Sequence, residues 1–283
     1  MNKEINALIV GGCLSTQYNV KNYGVKLEEI YISLVQQRLL SDFGIKLSYI
    51  PMYYERFKDV IERIPKYYSQ MEPDLIICQI RSQQYIRLVP MVNTYADEQK
   101  KLKLTINLPY LKEYKNETYR PEAIYEIYEN ITEFGKNDNN IGKSAKLTEK
   151  VLDLFYNQKT RIKINELNFK TGIAFGNRRM AIKLYFKLID EIIEFAQINK
   201  KKIIFLGIYP RPISIIENVI SKDINDKFIK YFENKPYMYV NYFDEFDKNW
   251  NKYYQGDLVH LNKDAHIYIA DVFYKQLSRL IGL

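Results

Sequence analysis

The 283-residue sequence predicts a three-layer α/β/α sandwich around a parallel five-stranded sheet, and three observations lead there. Short apolar runs such as "INALIV" (5 to 10), "PDLIICQI" (73 to 80) and "IIFLGI" (203 to 208) are continuous rather than alternating, as strands covered on both faces must be. Between the runs lie stretches whose apolar residues recur at helical spacing, and strand, helix, strand is the order of a doubly wound sheet. Glycine or proline closes the runs, as at Gly11, Gly12 and Pro51.

Each element follows from its own pattern. After the first strand, Leu27, Ile30, Tyr31, Leu34, Val35 and Leu39 predict a helix over about 25 to 40, with Gly44 beyond its end. "IKLSYIP" (45 to 51) is the second strand, an amphipathic stretch at 55 to 70 the second helix, and "PDLIICQI" the third strand. From about 85 to 170 the sequence turns Tyr-, Lys- and Asn-rich and carries Pro90, Pro109 and Pro121. It reads as a helical insertion or cap between the third and fourth strands, with helices at 121 to 134 and 145 to 158 and no strong strand of its own. The whole chain, 1 to 283, reads as one α/β domain that carries this insertion at 85 to 170. A long helix then starts near Asn177, followed by the strand 203 to 208, a helix at 213 to 232, a strand at 237 to 243 and a closing helix at 263 to 281. No internal repeat is present.

Composition excludes several classes of function. With 47% hydrophobic and 27% charged residues, the chain has the balance of a globular protein, and its apolar runs are too short to span a bilayer. The start, "MNKEINALIVGG", lacks the basic region and long apolar stretch of a secretory signal, so the expected location is cytoplasmic. Two cysteines make no disulfide framework, and Cys13, Cys78, His260 and His266 show no paired spacing for zinc. The net charge of +8 comes from scattered lysines without a basic run or a nucleic-acid motif, which gives no reason to expect nucleic-acid binding.

Chemistry in such folds gathers at the carboxyl ends of the strands. Cys13, Arg81 to Gln84, Tyr209 to Arg211 and the 257 to 260 segment all fall on that edge. Asp257 and His260 stand three apart in "GDLVHLNKDAHIYIADVF" (256 to 273), a spacing that lets the carboxylate orient the imidazole and the imidazole face a nucleophile. Cys13 follows two glycines at a strand end, where loop and helix amides favour a thiolate. Ser15 is the competing nucleophile, disfavoured by the register of the glycines, while Cys78 reads as core and His266 as a structural residue of the closing helix.

These motifs resemble the SGNH (GDSL-type) hydrolase superfamily, whose fold is SGNH/flavodoxin-like. Its Gly-Asp-Ser after the first strand aligns with Gly11, Gly12 and Cys13, which puts cysteine at the serine position. Its Asp-x-x-His and following His-Leu-Asn pattern match Asp257, Leu258, Val259, His260, Leu261, Asn262 and His266, with Ala265 in place of the usual glycine. Its third motif, from Pro-Asp to Gly-x-Asn-Asp, aligns with "PDLIICQIRSQQ", so that Gln83 stands for the oxyanion-hole asparagine. The glycine after the second strand has no counterpart in "SYIPMYYER" (48 to 56).

The resemblance implies a Cys13-His260-Asp257 triad with an oxyanion hole formed by the Gly12 and Cys13 amides and the Gln83 side chain. Arg81 and Arg211 are the candidate substrate-binding residues, and no metal or bound cofactor is implied. Cysteine in place of serine points to an acyl-ester or acyl-thioester hydrolase or acyltransferase passing through an acyl-cysteine, with acyl-CoA as a candidate donor and a sugar or other small hydroxyl compound as a candidate acceptor. The expectation from another class is a catalytically silent domain of this fold that binds a glycan or a protein. Oligomeric state is not readable from the sequence.

Overall fold

The computed structural model describes residues 4–12, 14–15, 25–53, 57–81, 92–96, 102–106, 167, 170–171, 174, 177–212, 215–235, 238–255 and 260–283. Contacts divide the chain into two compact units, residues 1–84 with 185–283, and residues 85–184. The first unit holds the predicted sheet. Strands β1 (Glu4–Gly11), β2 (Lys46–Tyr53), β3 (Leu75–Gln79), β6 (Lys202–Leu206) and β7 (Met238–Val240) lie in the order β2-β1-β3-β6-β7, and every neighbouring pair is parallel.

The continuous apolar runs are explained by burial on both faces. On one face Ala7 and Ile9 of β1, Leu75 and Ile77 of β3, and Ile204 and Leu206 of β6 join the core beneath α1 (Tyr31–Phe43) and α7 (Lys263–Ile281). Leu8 and Val10, of opposite parity, are equally buried. On that other side Phe205 packs on Phe232 of α4 (Ile215–Phe232), and Tyr185 and Phe186 of α3 (Asn177–Ile198) pack on Phe228. Helix α2 (Phe57–Met71) meets α3 through the edge-on contact of Tyr68 with Phe195. Phe273, Leu277, Ile269 and Ala270 form the buried stripe of α7, which starts and stops at clear signals. Asn262 Oδ1 accepts from the Ala265 amide at the N-terminus, and Gly282 takes a left-handed φ of 80° at the C-terminus.

Three expectations are corrected. The helix predicted from residue 25 begins at Tyr31; before it stands a short 3-10 turn, Leu27–Glu29, in which the Lys26 amide donates to Glu29 Oε2 at 3.2 Å. The strand predicted over 237 to 243 stops at Val240, because Tyr242 leaves the extended conformation and Phe243 begins α5 (Phe243–Lys248), which leads into α6 (Trp250–Tyr253). Buried aromatics, not strand alternation, explain that run: Tyr242 and Phe246 lie 5.2 Å apart in the core. The segment read as lacking strands contains an antiparallel pair, β4 (Val92–Ala96) with β5 (Leu102–Ile106), registered Val92 to Ile106 and Ala96 to Leu102. Its apolar-polar alternation in "LKLTI" is the period of a hairpin strand, which the Tyr-, Lys- and Asn-rich composition around it obscured. The helices predicted at 121 to 134 and 145 to 158 lie outside the described residues.

Candidate active site

Register brings the strand ends to one level. Val10 pairs with Cys78 and Cys78 with Phe205, so β1 ends beside Gln79, and Gln79 beside Leu206. Beyond β1 the chain turns back at once, with the Ser15 amide donating to the Gly12 carbonyl at 3.0 Å. A side chain at either glycine would meet a neighbour, a fixed one at Gly11 and a flexible one at Gly12. A Cβ on Gly11 would stand 2.5 Å from Ser15 Cβ, and one on Gly12 would stand 2.6 Å from Arg81 Nε and 2.9 Å from its Cζ. Arg81 therefore lays its guanidinium against the residue that precedes Cys13. Its own carbonyl accepts from the Tyr185 hydroxyl at 2.6 Å, which fixes the backbone at the exit of β3.

Beneath the turn lies a buried polar cluster that the motif matches did not reveal. Gln79 Oε1 accepts from the Gly12 amide at 3.0 Å and from the Ser15 hydroxyl at 3.1 Å, and Ser15 Oγ accepts from the Tyr31 hydroxyl at 3.0 Å. Gln79 and Ser15 are each 1% exposed. Two consequences follow for the expected site. The Ser15 hydroxyl is enclosed, donating to Gln79 and accepting from Tyr31. The Gly12 amide is taken by Gln79, so in this arrangement it is not aimed at an oxyanion, and the expected three-donor hole loses that donor.

The loop before α7 is closed at its base. The Gln255 amide donates to the His260 carbonyl at 2.8 Å, and Tyr254 and Leu261 form an antiparallel bridge. Asn262 Nδ2 adds a bond to the Lys252 carbonyl at 2.7 Å. His260 is half-buried at the mouth of this loop. The Tyr254 hydroxyl donates to the Pro210 carbonyl at 2.6 Å and so ties the loop to the segment leaving β6. Burial holds the Tyr254 phenol well above the usual range, with Arg211 working in the opposite sense.

Arg211, the other candidate substrate-binding residue, has a side chain only 11% exposed and bonds Glu217 through Nε at 3.1 Å, while its amide donates to Asn218 Oδ1 at 2.9 Å. Its Nη1 is buried without a hydrogen-bond partner. Cys13, Gln83 and Asp257 lie outside the described residues. Cys78 is in the core as expected, its thiol pushed far up by burial. His266 is buried in the first turns of α7, where burial lowers its pKa to about 4. Its Nδ1 accepts from the Tyr31 amide at 3.2 Å, so the imidazole is neutral with its proton on Nε2. Among the described residues no group of three His, Cys, Asp or Glu side chains could hold a metal ion, and no helix is long and apolar enough to cross a membrane.

The members of this buried cluster that sequence reasoning missed are Gln79 and Tyr31. Gln79 carried a signal: it is the one uncharged polar side chain inside the run "LIICQI", where a buried amide must find partners. Tyr31 carried none beyond its place on a helical stripe.

A five-stranded parallel sheet in the order β2-β1-β3-β6-β7, with helices on both faces, defines a doubly wound α/β fold. Solved structures agree. The chain is similar to a lipase, Lip_vut3, from a goat rumen metagenome, at 10% identity and a TM-score of 0.55, covering 96% of this chain and 97% of that one. It is similar to Axe2, an acetylxylan esterase from Geobacillus stearothermophilus, at 11% identity and 0.52, covering 100% and 97%. A member of the lipolytic protein G-D-S-L family from Veillonella parvula follows at 8% and 0.51, covering 97% and 98%. The chain therefore shares the parallel α/β fold of these esterases and lipases. No protein-family model and no curated protein sequence matches it.

Proposed function

We propose that this protein is an acyl-ester or acyl-thioester hydrolase or acyltransferase that works through a covalent acyl-cysteine on Cys13. His260 takes the thiol proton as sulfur attacks the carbonyl carbon, and Asp257 orients the imidazole. The tetrahedral oxyanion then collapses. Its bond to the leaving alcohol or thiol breaks, and His260 returns the proton to that group. In the second half, water or an acceptor hydroxyl gives a proton to His260, attacks the thioester, and releases the acid or the transferred ester together with the Cys13 thiol.

The observation that carries this reading is the pairing, on the fold of known esterases, of a tight two-glycine turn at the end of β1 with an anchored His260 loop before the last helix. With the Gly12 amide engaged by Gln79, the oxyanion donors become the Cys13 amide and the Gln83 carboxamide. Arg81, held against Gly12, supplies positive charge where the second-motif glycine is absent. Arg211 belongs to the wall of the site beside Tyr254 and contributes to substrate binding from there. Acyl-CoA serves as donor in the transferase version of the reaction, with a sugar or small hydroxyl compound as acceptor.

Turnover of p-nitrophenyl acetate and of acetyl-CoA, with Cys13→Ala and His260→Ala as comparators, tests the proposal. Activity on at least one donor that both substitutions abolish is expected. Inactivity on both donors, with the chain folded, would leave the domain a silent binder of a glycan or a protein partner.

A further inference from the structure

Among the described residues the buried polar side chains include Ser15, Gln79 and His266, and these three belong with Tyr31 to one hydrogen-bonded chain. From α7, His266 Nδ1 accepts the Tyr31 amide; from Tyr31 the hydroxyl reaches Ser15, the Ser15 hydroxyl reaches Gln79, and Gln79 holds the Gly12 amide. The chain is buried throughout: Tyr31 is 0% exposed, and His266 is 6% exposed. Such a network contributes little net stability, because each bond replaces one made to water in the unfolded chain, while any unmade bond would be costly. Leucine and phenylalanine would fill the same volume without that risk.

What the chain does have is a position. One end closes on the residue before Cys13. The other end lies in the first turns of the helix whose N-terminal loop bears His260, six residues before His266. Helix α1 begins after Ile30, which has no polar side chain, and His266 caps its first amide in place of the usual Ser, Thr, Asn or Asp. A second latch at the surface, Lys263 Nζ to Glu29 Oε1 at 2.8 Å, joins α7 to the 3-10 turn that precedes α1. The Tyr31 and His266 rings lie nearly parallel, with planes 11° and centroids 6.4 Å apart.

We infer that the His266–Tyr31–Ser15–Gln79 chain is a positioning network that sets the nucleophile turn against the base-bearing loop, with Tyr31 and Ser15 as positioning residues for Cys13. The inference rests on the reading of Cys13 as the nucleophile. Each bond removes a degree of freedom: the Gln79 oxygen is shared by Gly12 and Ser15, so the two ends of the turn cannot shift independently. The reacting groups of the two halves come from elements some 245 residues apart in sequence, and this chain is a buried polar path joining those elements.

The test is the pH profile of Cys13 alkylation by iodoacetamide, read by mass spectrometry on the full chain, for the native protein, Tyr31→Phe, Ser15→Ala and the double variant. Circular dichroism confirms that each is folded. If the network positions the turn, each single variant alkylates at pH 7 roughly three- to tenfold more slowly, the effect of losing one hydrogen bond's worth of positioning, and its profile moves to higher pH. The double variant is then no slower than the worse single, because both substitutions cut one chain. Unchanged profiles in folded variants, beside a reactive native Cys13, would overturn the inference and leave the nucleophile reading standing. Additive effects would overturn it too, since they would mean independent contacts. A native Cys13 that alkylates no faster than a free thiol would overturn both.

Discussion

Acidification from pH 7 to pH 4.5 destabilises this protein through one identifiable side chain. His266 is held neutral inside the core, with its pKa lowered to about 4 by burial, whereas in the unfolded chain it titrates near the ordinary value of 6.5. The unfolded state therefore binds more protons as the pH falls below about 6.5. The contribution is fully present above that value and is lost progressively as the pH approaches 4. Integrating the difference in bound protons from pH 7 to pH 4.5 gives a loss of roughly 2.5 kcal/mol from this group alone. Other groups titrate in the same range, so the comparison that isolates it is with His266→Asn, whose carboxamide oxygen can still accept the Tyr31 amide but carries no titratable proton. Urea unfolding of both proteins at the two pH values is the assay. The variant starts less stable at pH 7, having lost a packed imidazole, but between pH 7 and 4.5 it loses less than the native protein by about 2 kcal/mol. Equal losses would refute the account, because they would mean that His266 is protonated, or solvated, in the folded state.

Gly12→Ala separates folding from function: the added methyl meets only the flexible Arg81 side chain, so stability changes by less than about 1 kcal/mol by urea unfolding, whereas ester turnover falls by about a hundredfold as the guanidinium is displaced from the turn. Asn262→Ala removes the cap of α7 and the tie to the Lys252 carbonyl; urea titration then shows a loss of about 1 kcal/mol. A thiol assay with Ellman's reagent on the native protein gives one reacting cysteine, and the second, Cys78, appears only on unfolding.

How far the sequence foretold the structure follows from which forces act locally. A strand covered on both faces needs an unbroken apolar run, and that requirement is written into "INALIV" and "IIFLGI" whatever the rest of the chain does. The closing helix was legible to the residue, because an Asn cap and a terminal glycine bracket its apolar stripe. By contrast, the end of β7 depends on Tyr242, whose hydroxyl finds the Gly207 carbonyl only after the sheet has formed, so no local pattern announces it. The hairpin at 92 to 106 had a local period, outweighed by the polar composition around it.

At the site, spacing alone selected the His260 loop and the two glycines, and the structure supplies the reason for the glycines in the two Cβ positions that Ser15 and Arg81 occupy. The engagement of the Gly12 amide by Gln79 was not legible, because it joins residues 67 apart on neighbouring strands. Nor was the burial of Arg211, which depends on Glu217 and Asn218 reaching back from α4.

The central claim is that chemistry passes through the Cys13 sulfur. It is tested most directly by quenching the protein during turnover of p-nitrophenyl acetate and locating the acetyl group by peptide mapping. The account predicts an acetyl thioester on Cys13 that hydroxylamine removes, with Ser15 unmodified, and accumulation of the adduct when His260 is replaced by alanine only if acylation is forced at high pH. An acetyl group on Ser15, or steady turnover with no adduct on either residue, would contradict it.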